Sequence, residues 1–186
     1  MMIFRKKELK YKLTNEEKEL YDPYERRIIK LHRIQSVDGT LGGWVETEEN
    51  LSQKGAAWVA DEAMVYGNAV VFDDAVVEGN ACCRNHARIG GTAQISDQAQ
   101  VFGCAAVDGN AEVSGNARVY GNAQVYGNAR VYGNAEVLEW AEAHDFAEVC
   151  GSAKLEQDAE AEDTAKLNRG TWCCLVTGDV THFFDE

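Results

Sequence analysis

The sequence predicts an all-β fold, a triangular parallel β-helix of about six coils with a small α+β cap before it and a β-rich tail after it. Alanine recurs at every sixth position from Ala57 to Ala165, nineteen times without an insertion. A small or aliphatic residue follows each alanine two positions later, from Val59 to Leu167. Glycine, asparagine or aspartate occupies most positions where a corner is needed. A period this long decides the architecture before local propensity is considered.

Each six-residue repeat, such as GNARVY at residues 115–120, predicts one short strand and one corner. Side chains alternate along a strand, so Ala117 and Val119 point to one side while Arg118 and Tyr120 point to the other. Glycine and asparagine readily adopt a positive φ, which lets the chain turn between strands. Three repeats then close one triangular coil, and coils stacked about 4.8 Å apart pair backbone to backbone.

The chain divides into three predicted segments, with the repeats spanning residues 55–168. Residues 1–54 are predicted to cap the first coil with a short helix and strands. Thr14 followed by Glu17 has the pattern of a capping box, and Pro23 would limit the helix that it opens. Residues 169–186 are β-rich and leave the period. They are predicted to be either a capping lid or an oligomerisation segment.

The repeats resemble those of hexapeptide-repeat left-handed parallel β-helix proteins over residues 55–168. This resemblance implies that the coils are left-handed, which the spacing alone does not prove. The segment LGGWVETEENLSQKGAAWV (Leu41 to Val59) resembles the entry region of phage and prophage members of that group. Those proteins are mostly of unassigned function, so the second resemblance implies a phage origin and not a mechanism.

Residues eighteen apart share a face, which predicts an outward column on one side of the helix. The column comprises Tyr66, Arg84, Phe102, Tyr120, Leu138 and Glu156. In this column Arg84 is placed to stack between two aromatic rings. Stacked aromatic side chains can simply stabilise neighbouring strands, but a contiguous apolar patch usually marks a contact surface. The sequence favours a contact face for a partner or a second copy of the chain.

A second candidate binding region is the acidic stretch between residues 136 and 163, in which Lys154 is the single lysine or arginine. Its candidate contact residues are Glu136, Trp140, Glu142, Phe146, Glu160 and Glu162. Such a run is usually a solvated surface, and in rare cases it imitates the charge of DNA. Trp140 and Phe146 occupy corner positions, where exposed aromatic side chains are good anchors for a partner.

The same family resemblance implies an alternative function, because many of these proteins are trimeric acyltransferases with a catalytic histidine and a coenzyme A groove. His86 at a corner and His144 at an outward position are candidate general bases. However, those enzymes generally interrupt their coils with a long loop, whereas the repeats here run without one. A metal site built from three converging histidines is not supported by their number or spacing. We therefore expect no catalytic residue, metal or cofactor, with an acetyl-CoA-dependent acyltransferase as the alternative.

Charge and cysteine content limit the partners. A net charge of −13 disfavours direct binding of nucleic acid, because a phosphate backbone needs a basic surface. The first residues contain no apolar run long enough for a signal peptide or membrane span, and the six cysteines lack CxxC spacing, so we expect a cytoplasmic protein with reduced thiols. These limits and the acidic stretch predict a non-catalytic protein-binding β-solenoid that inhibits a host defence or nucleic-acid enzyme, and the resemblance of the entry region implies that it is phage-derived. We expect a homodimer in preference to a trimer.

Overall fold

The computed structural model describes residues 9–177, and in this range the chain is all-β without an α-helix. It begins with three strands, β1 (Tyr11–Asp22), β2 (Arg27–Ser36) and β3 (Leu41–Val45), and a 3₁₀ helix (Glu48–Asn50). Twenty-one short strands follow in chain order: β4 (Trp58–Val59), β5 (Met64–Val65), β6 (Val70–Val71), β7 (Val76–Val77), β8 (Cys82–Cys83), β9 (Arg88–Ile89), β10 (Gln94–Ile95), β11 (Gln100–Val101), β12 (Ala106–Val107), β13 (Glu112–Val113), β14 (Arg118–Val119), β15 (Gln124–Val125), β16 (Arg130–Val131), β17 (Glu136–Val137), β18 (Glu142–Ala143), β19 (Glu148–Val149), β20 (Lys154–Leu155), β21 (Glu160–Glu162), β22 (Lys166–Leu167), β23 (Thr171–Trp172) and β24 (Val176–Thr177).

The strands form three sheets that run along the sides of a solenoid. The first sheet has the order β1-β2-β3-β5-β8-β11-β14-β17-β20-β23, the second β6-β9-β12-β15-β18-β21-β24, and the third β4-β7-β10-β13-β16-β19-β22. Strands within the solenoid pair in parallel with partners eighteen residues away, as Val101 does with Val119 and Val119 with Val137. This register confirms the predicted eighteen-residue coil.

The solenoid has about seven stacked coils, slightly more than the six expected, because the tail continues the stack. Strand β23 pairs in parallel with β20, bringing Trp172 opposite Leu155, and β24 pairs with β21, bringing Val176 opposite Ala161. These separations depart from eighteen residues, so the tail leaves the sequence period as expected while its backbone still pairs. Residues 178–186 of the predicted tail lie outside the described residues.

The core consists of the two inward rows that the sequence predicts. Every repeat alanine from Ala57 to Ala165, and every small or aliphatic partner from Val59 to Leu167, is at most 1% exposed. The first corner residue of each repeat from Gly55 to Asp163 has a positive φ, as the corner pattern predicts. These observations confirm the strand-and-corner interpretation of the repeat. The left-handed sense of the coil stays a prediction of the family resemblance.

The predicted N-terminal helix is wrong, because the residues assigned to it lie in strand β1. This strand pairs antiparallel with β2 along its length, including Leu20 with Ile29, and the pairing shifts register between Leu13 and Glu17. The Thr14 hydroxyl accepts a hydrogen bond from the Glu16 N–H at 3.2 Å within that shift. Backbone pairing with a strand distant in sequence thus overrides the local signal for a helix N-terminus. The Thr14 hydroxyl caps a backbone N–H within a β-bulge instead.

The hairpin of β1 and β2 closes the first coil and then covers one outer side of the solenoid. Tyr11, Ile34 and Leu51 are fully buried in the main core at this end. The Tyr11 hydroxyl lies 2.7 Å from the Leu51 carbonyl oxygen. Further along β2, Ile29 and Leu31 form a second apolar cluster on the outer face of the first sheet. The cap therefore consists of strands that close the end of the solenoid and then pack on the outer face of its first sheet.

Two further findings bear on the expected environment of the protein. Between residues 9 and 177, the chain has no helix with the length and apolar character that crossing a membrane would require. All six cysteines are free thiols, and four of them are partly or fully exposed: Cys82, Cys104, Cys173 and Cys174.

Candidate binding surface on the second sheet

The aromatic column of the first sheet is largely covered by the protein's own hairpin. Tyr66 packs in the apolar cluster with Ile29 and Leu31 and is 5% exposed, and Arg84 is 6% exposed. The Arg84 guanidinium lies 4.2 Å from the centre of the Phe102 ring and 5.3 Å from that of Tyr24. The predicted stacking of Arg84 between two rings is present, but one ring belongs to the hairpin.

The lower part of this column is also engaged within the chain. The Phe102 and Tyr120 rings stack at 4.8 Å with an interplanar angle of 2°. Glu136 accepts hydrogen bonds at 3.1 Å from Arg118 and from the Tyr120 hydroxyl. These contacts join consecutive coils, as stacked side chains in neighbouring strands do.

The prediction that this column is an exposed contact face is wrong for four of its residues. Tyr66, Arg84, Phe102 and Leu138 are buried, and Tyr120 is partly exposed. For Tyr66, Arg84 and Phe102 the physical reason is that the hairpin, through Ile29, Leu31 and Tyr24, supplies cover that a partner was expected to supply. The six-residue pattern contains no information about this cover, because the hairpin lies outside the repeats.

A different outer surface combines exposed aromatic corners with partly exposed acidic side chains around a buried histidine, His144. Trp140 is at the corner between β17 and β18, and Phe146 is at the corner between β18 and β19. Their side chains are 65% and 63% exposed, respectively. Between them lies the last part of the second sheet, with Glu142 on β18 and two more glutamates on β21. We call this set the acidic-aromatic surface; it comprises Trp140, Glu142, His144, Phe146, Glu160 and Glu162.

His144 is the centre of this surface. Its imidazole ring is parallel to the Tyr126 ring at 4.8 Å, with an interplanar angle of 6°. Nε2 lies 2.7 Å from Oε1 of Glu160, and Nδ1 lies 3.2 Å from Oδ2 of Asp145. Burial by itself would lower the pKa of His144, but the hydrogen bond to Glu160 and the charge of Asp145 raise it above its ordinary value. The imidazolium form of His144 therefore persists to a higher pH than that of an ordinary histidine.

Glu142 is fixed by uncharged neighbours. The Tyr126 hydroxyl donates to Oε2 of Glu142 at 2.9 Å, and the Gln124 amide donates to Oε1 at 3.1 Å. Burial, followed by the bond to Glu142, raises the pKa of Tyr126 to about 12, so its hydroxyl keeps its proton at neutral pH. In the parallel register Glu142 lies directly opposite Glu160. The two carboxylates thus occupy adjacent rungs of one column.

Next to this surface, the second sheet carries a shallow depression with a volume of about 440 Å³. Ala106, Asp108 and Gly109 of one coil line it together with Gln124, Tyr126 and Gly127 of the next coil. Tyr126 lines the depression and also stacks on His144 of the acidic-aromatic surface, so the two adjoin on the second sheet.

The structure brings some of the predicted site residues together and separates others. Trp140, Glu142, Phe146, Glu160 and Glu162 lie on or beside the second sheet, whereas Glu136 is on the first sheet with its partners Arg118 and Tyr120. Sequence reasoning considered His144 only as a general base and did not identify its stack with Tyr126. The eighteen-residue spacing from Tyr126 to His144 and on to Glu162 was the signal that could have found it.

Comparison with known proteins supports the solenoid architecture but does not indicate a function. Residues 123–139 match the family model described as the YdcK beta solenoid repeat. No significant match to a curated protein was found. The matched repeats and the stacked parallel coils together support one conclusion: the chain is a β-solenoid protein.

Proposed function

We propose that this protein is a non-catalytic binding protein that contacts a partner protein through its acidic-aromatic surface. The observation that carries the proposal is the exposure of Trp140 and Phe146 at two successive corners of one coil. One coil earlier, the same corner positions hold Asn122 and Asn128. Large aromatic side chains at exposed positions are typical anchors of protein interfaces.

The chemistry of the surface favours a partner with a basic patch. Glu142, Glu160 and Glu162 lie between the two aromatic anchors, and His144 is the basic group among them. Complementary charge steers association and makes it sensitive to salt. A nucleic acid would be repelled by these carboxylates, so the proposed partner is a protein.

The test is affinity capture of a partner from a lysate, followed by binding measurements with matched variants. Trp140→Ala and Phe146→Ala are each expected to weaken binding at least about tenfold, since anchor residues contribute about 2 kcal/mol or more. Asn122→Ala and Asn128→Ala, at the equivalent corners one coil earlier, are expected to bind like the wild type. Equal binding by the aromatic variants and the wild type would contradict the proposed surface.

We further propose that the protein is phage-derived and that its partner is a host defence or nucleic-acid enzyme in the host cytoplasm. The resemblance of Leu41 to Val59 to phage entry regions and the acidic character of the surface support this identity. Capture from host lysate at low salt should recover such an enzyme, and adding the protein should inhibit that enzyme. If the capture recovers neither a nucleic-acid enzyme nor a defence enzyme, this part of the proposal is overturned. The contact surface could then still bind another kind of protein.

We also propose a homodimer, now through the outer side of the hairpin, since the column of the first sheet is covered. Tyr21 on β1 pairs with Ile28 on β2, and their side chains are 63% and 66% exposed. Light scattering should give the mass of a dimer for the wild type and of a monomer for Ile28→Lys. A monomeric wild type, or a dimer unaffected by Ile28→Lys, would contradict this interface.

The acyltransferase alternative has less support from the geometry around the histidines. Both ring nitrogens of His144 already face carboxylates, and His86 lies at an exposed corner with Asn68 as its 3.1 Å neighbour. An acyltransferase of this family should be trimeric and should gain thermal stability from acetyl-CoA. Observation of both properties would favour the enzyme over the binding protein.

A further inference from the structure

Outward charges alternate along two of the three sheets in the later coils. On the first sheet, Arg118, Glu136 and Lys154 occupy consecutive rungs, and Arg118 pairs with Glu136 at 3.1 Å. The third sheet has the equivalent column Glu112, Arg130, Glu148 and Lys166, in which Arg130 pairs with Glu112 at 3.3 Å and Lys166 with Glu148 at 2.5 Å. In each of these columns, every charged side chain therefore has an opposite charge on an adjacent rung.

The equivalent column of the second sheet departs from this pattern. Gln124, Glu142 and Glu160 occupy its consecutive rungs, so two glutamates are adjacent where the other sheets place a base next to an acid. Like charges directly opposite each other in a sheet are destabilising. The side-chain partners of Glu142 are the uncharged Gln124 and Tyr126, and the ion-pair partner of Glu160 is His144. This column has a deficit of positive charge that a bound cation would remove.

The side chains at this position form a metal-ligating set. One ligand atom from each of Glu142, His144 and Glu160 lies within 4.8 Å of the others. Nε2 of His144 and Oε1 of Glu160 are 2.7 Å apart. Ligands about 2.0–2.1 Å from a tetrahedral ion are about 3.4 Å apart, so a small rotation of the Glu160 side chain admits an ion. Imidazole combined with carboxylates suits zinc and similar divalent transition metals better than calcium or magnesium, which prefer oxygen ligands alone.

The neighbours of this set hold it in the arrangement that metal sites use. Oδ2 of Asp145 lies 3.2 Å from Nδ1 of His144, on the ring nitrogen opposite to the one that faces Glu160. A ligating histidine commonly donates its second N–H to a carboxylate in this way, which fixes the tautomer and the ring orientation. Tyr126 stacks on the imidazole and also holds Oε2 of Glu142, so one residue positions two of the three ligands.

We propose that Glu142, His144 and Glu160 bind one divalent transition-metal ion, of the zinc class, on the outer face of the second sheet, with Asp145 as a positioning residue. One histidine and two glutamates form this site, so it differs from the three-histidine site that the sequence disfavours. Three protein ligands leave one coordination position facing outward, between the two aromatic corners. The site needs no partner protein, so it does not depend on the proposed function.

The experiment is a titration of the chelator-treated full chain with zinc chloride, followed by calorimetry. We expect one ion per chain and a rise in the thermal unfolding temperature. Glu142→Gln and Glu160→Gln should each weaken zinc binding at least about tenfold, and Asp145→Asn about tenfold or more, the effect usual for the loss of a positioning carboxylate. Glu148→Gln, at the equivalent strand position on the third sheet, should bind zinc like the wild type.

Two further measurements keep the result specific to this site. Cys173 and Cys174 are exposed thiols that compete for zinc, so the titration is repeated in the Cys173→Ser/Cys174→Ser background. Binding of Co²⁺ should give a visible spectrum for nitrogen and oxygen ligands, without a thiolate charge-transfer band. No stoichiometric binding in that background, or binding unaffected by Glu142→Gln, would overturn the proposal. Either outcome leaves the proposed contact surface untouched, because no partner is present in the titration.

Discussion

Replacement of Gly121 by alanine tests what glycine contributes at a corner of the stacked coils. Gly121 has a φ of +76°, and a Cβ atom added there would lie 2.7 Å from the backbone nitrogen of Glu139 in the next coil. Gly39, in the turn between β2 and β3, has a φ of +95°, but a Cβ atom added there would meet nothing within 4 Å. Both substitutions strain the backbone, and only the first also pushes two coils apart.

The expected cost follows from these two effects. A left-handed backbone costs an L-residue about 1–2 kcal/mol, which applies to both variants. At Gly121 the atoms in contact are backbone atoms of Glu139, so rotation of a side chain cannot relieve the overlap. Inserting a methyl group into a packed region costs a further 1–3 kcal/mol or so. Gly121→Ala should therefore lower the free energy of unfolding by about 2–5 kcal/mol, against about 1–2 kcal/mol for Gly39→Ala.

Urea unfolding followed by circular dichroism measures both losses on the same scale. We expect a clearly lower urea midpoint for Gly121→Ala than for Gly39→Ala. The dependence of the unfolding free energy on urea concentration should be similar in the two variants. Equal losses for the two variants would refute the role of coil-to-coil contact. A Gly121→Ala variant as stable as the wild type would refute the whole account of the corner, including its left-handed backbone.

Three further predictions concern single side chains. Because the pKa of His144 is raised, the charged side chain stabilises the fold fully below the ordinary pKa of about 6.5. This stabilisation is lost as the pH rises through the raised pKa. His144→Asn should therefore lower the free energy of unfolding more at about pH 6 than at about pH 9. Tyr11→Phe should cost about 1–3 kcal/mol in thermal unfolding, because a buried carbonyl loses its hydroxyl partner. Burial, together with the charge of Glu48, raises the pKa of Tyr11 to about 12, so the wild type should lose stability from about pH 10 to about 12 and Tyr11→Phe should not show this loss. Arg84→Met should speed amide exchange at the hairpin tip, because it removes a cation–π contact of about 0.5–2 kcal/mol.

Each of these predictions has a contradicting outcome. A pH-independent cost for His144→Asn would show that its ion pairs do not favour the protonated form. An unchanged Tyr11→Phe variant would show that water or another donor satisfies the carbonyl group. Unchanged exchange in Arg84→Met would show that the hairpin is held by its apolar contacts through Ile29 and Leu31 alone.

Regions with a strict period could be predicted in detail from the sequence. Ala117 and Val119 are both fully buried, as the alternation of side chains in a strand requires. Asp97 replaces glycine at a corner, keeps a φ of +59°, and its carboxylate accepts the backbone N–H of Gly115 at 2.9 Å. These features follow from local backbone geometry repeated at a fixed spacing, and this spacing can be read directly from the amino-acid sequence.

Regions outside the period could not be predicted in the same way. The pattern from Thr14 to Glu17 indicates a helix, but pairing with β2 makes it a strand. Tyr66 and Arg84 point outward as the spacing predicts, yet the hairpin buries both. The energy that decides these outcomes comes from contacts between segments distant in sequence, which no local pattern records.

The sequence by itself determined the coil length, the inward rows, the corners and the columns that share a face, because each depends on a spacing of six or eighteen residues. Only the tertiary structure decided which of those columns remains open. The hairpin packs its apolar residues against the first sheet, and the second sheet keeps Trp140, Phe146 and the carboxylates around His144 at the surface. Docking of a segment that has no repeat depends on complementary shape and burial, and these arise only when the chain is folded.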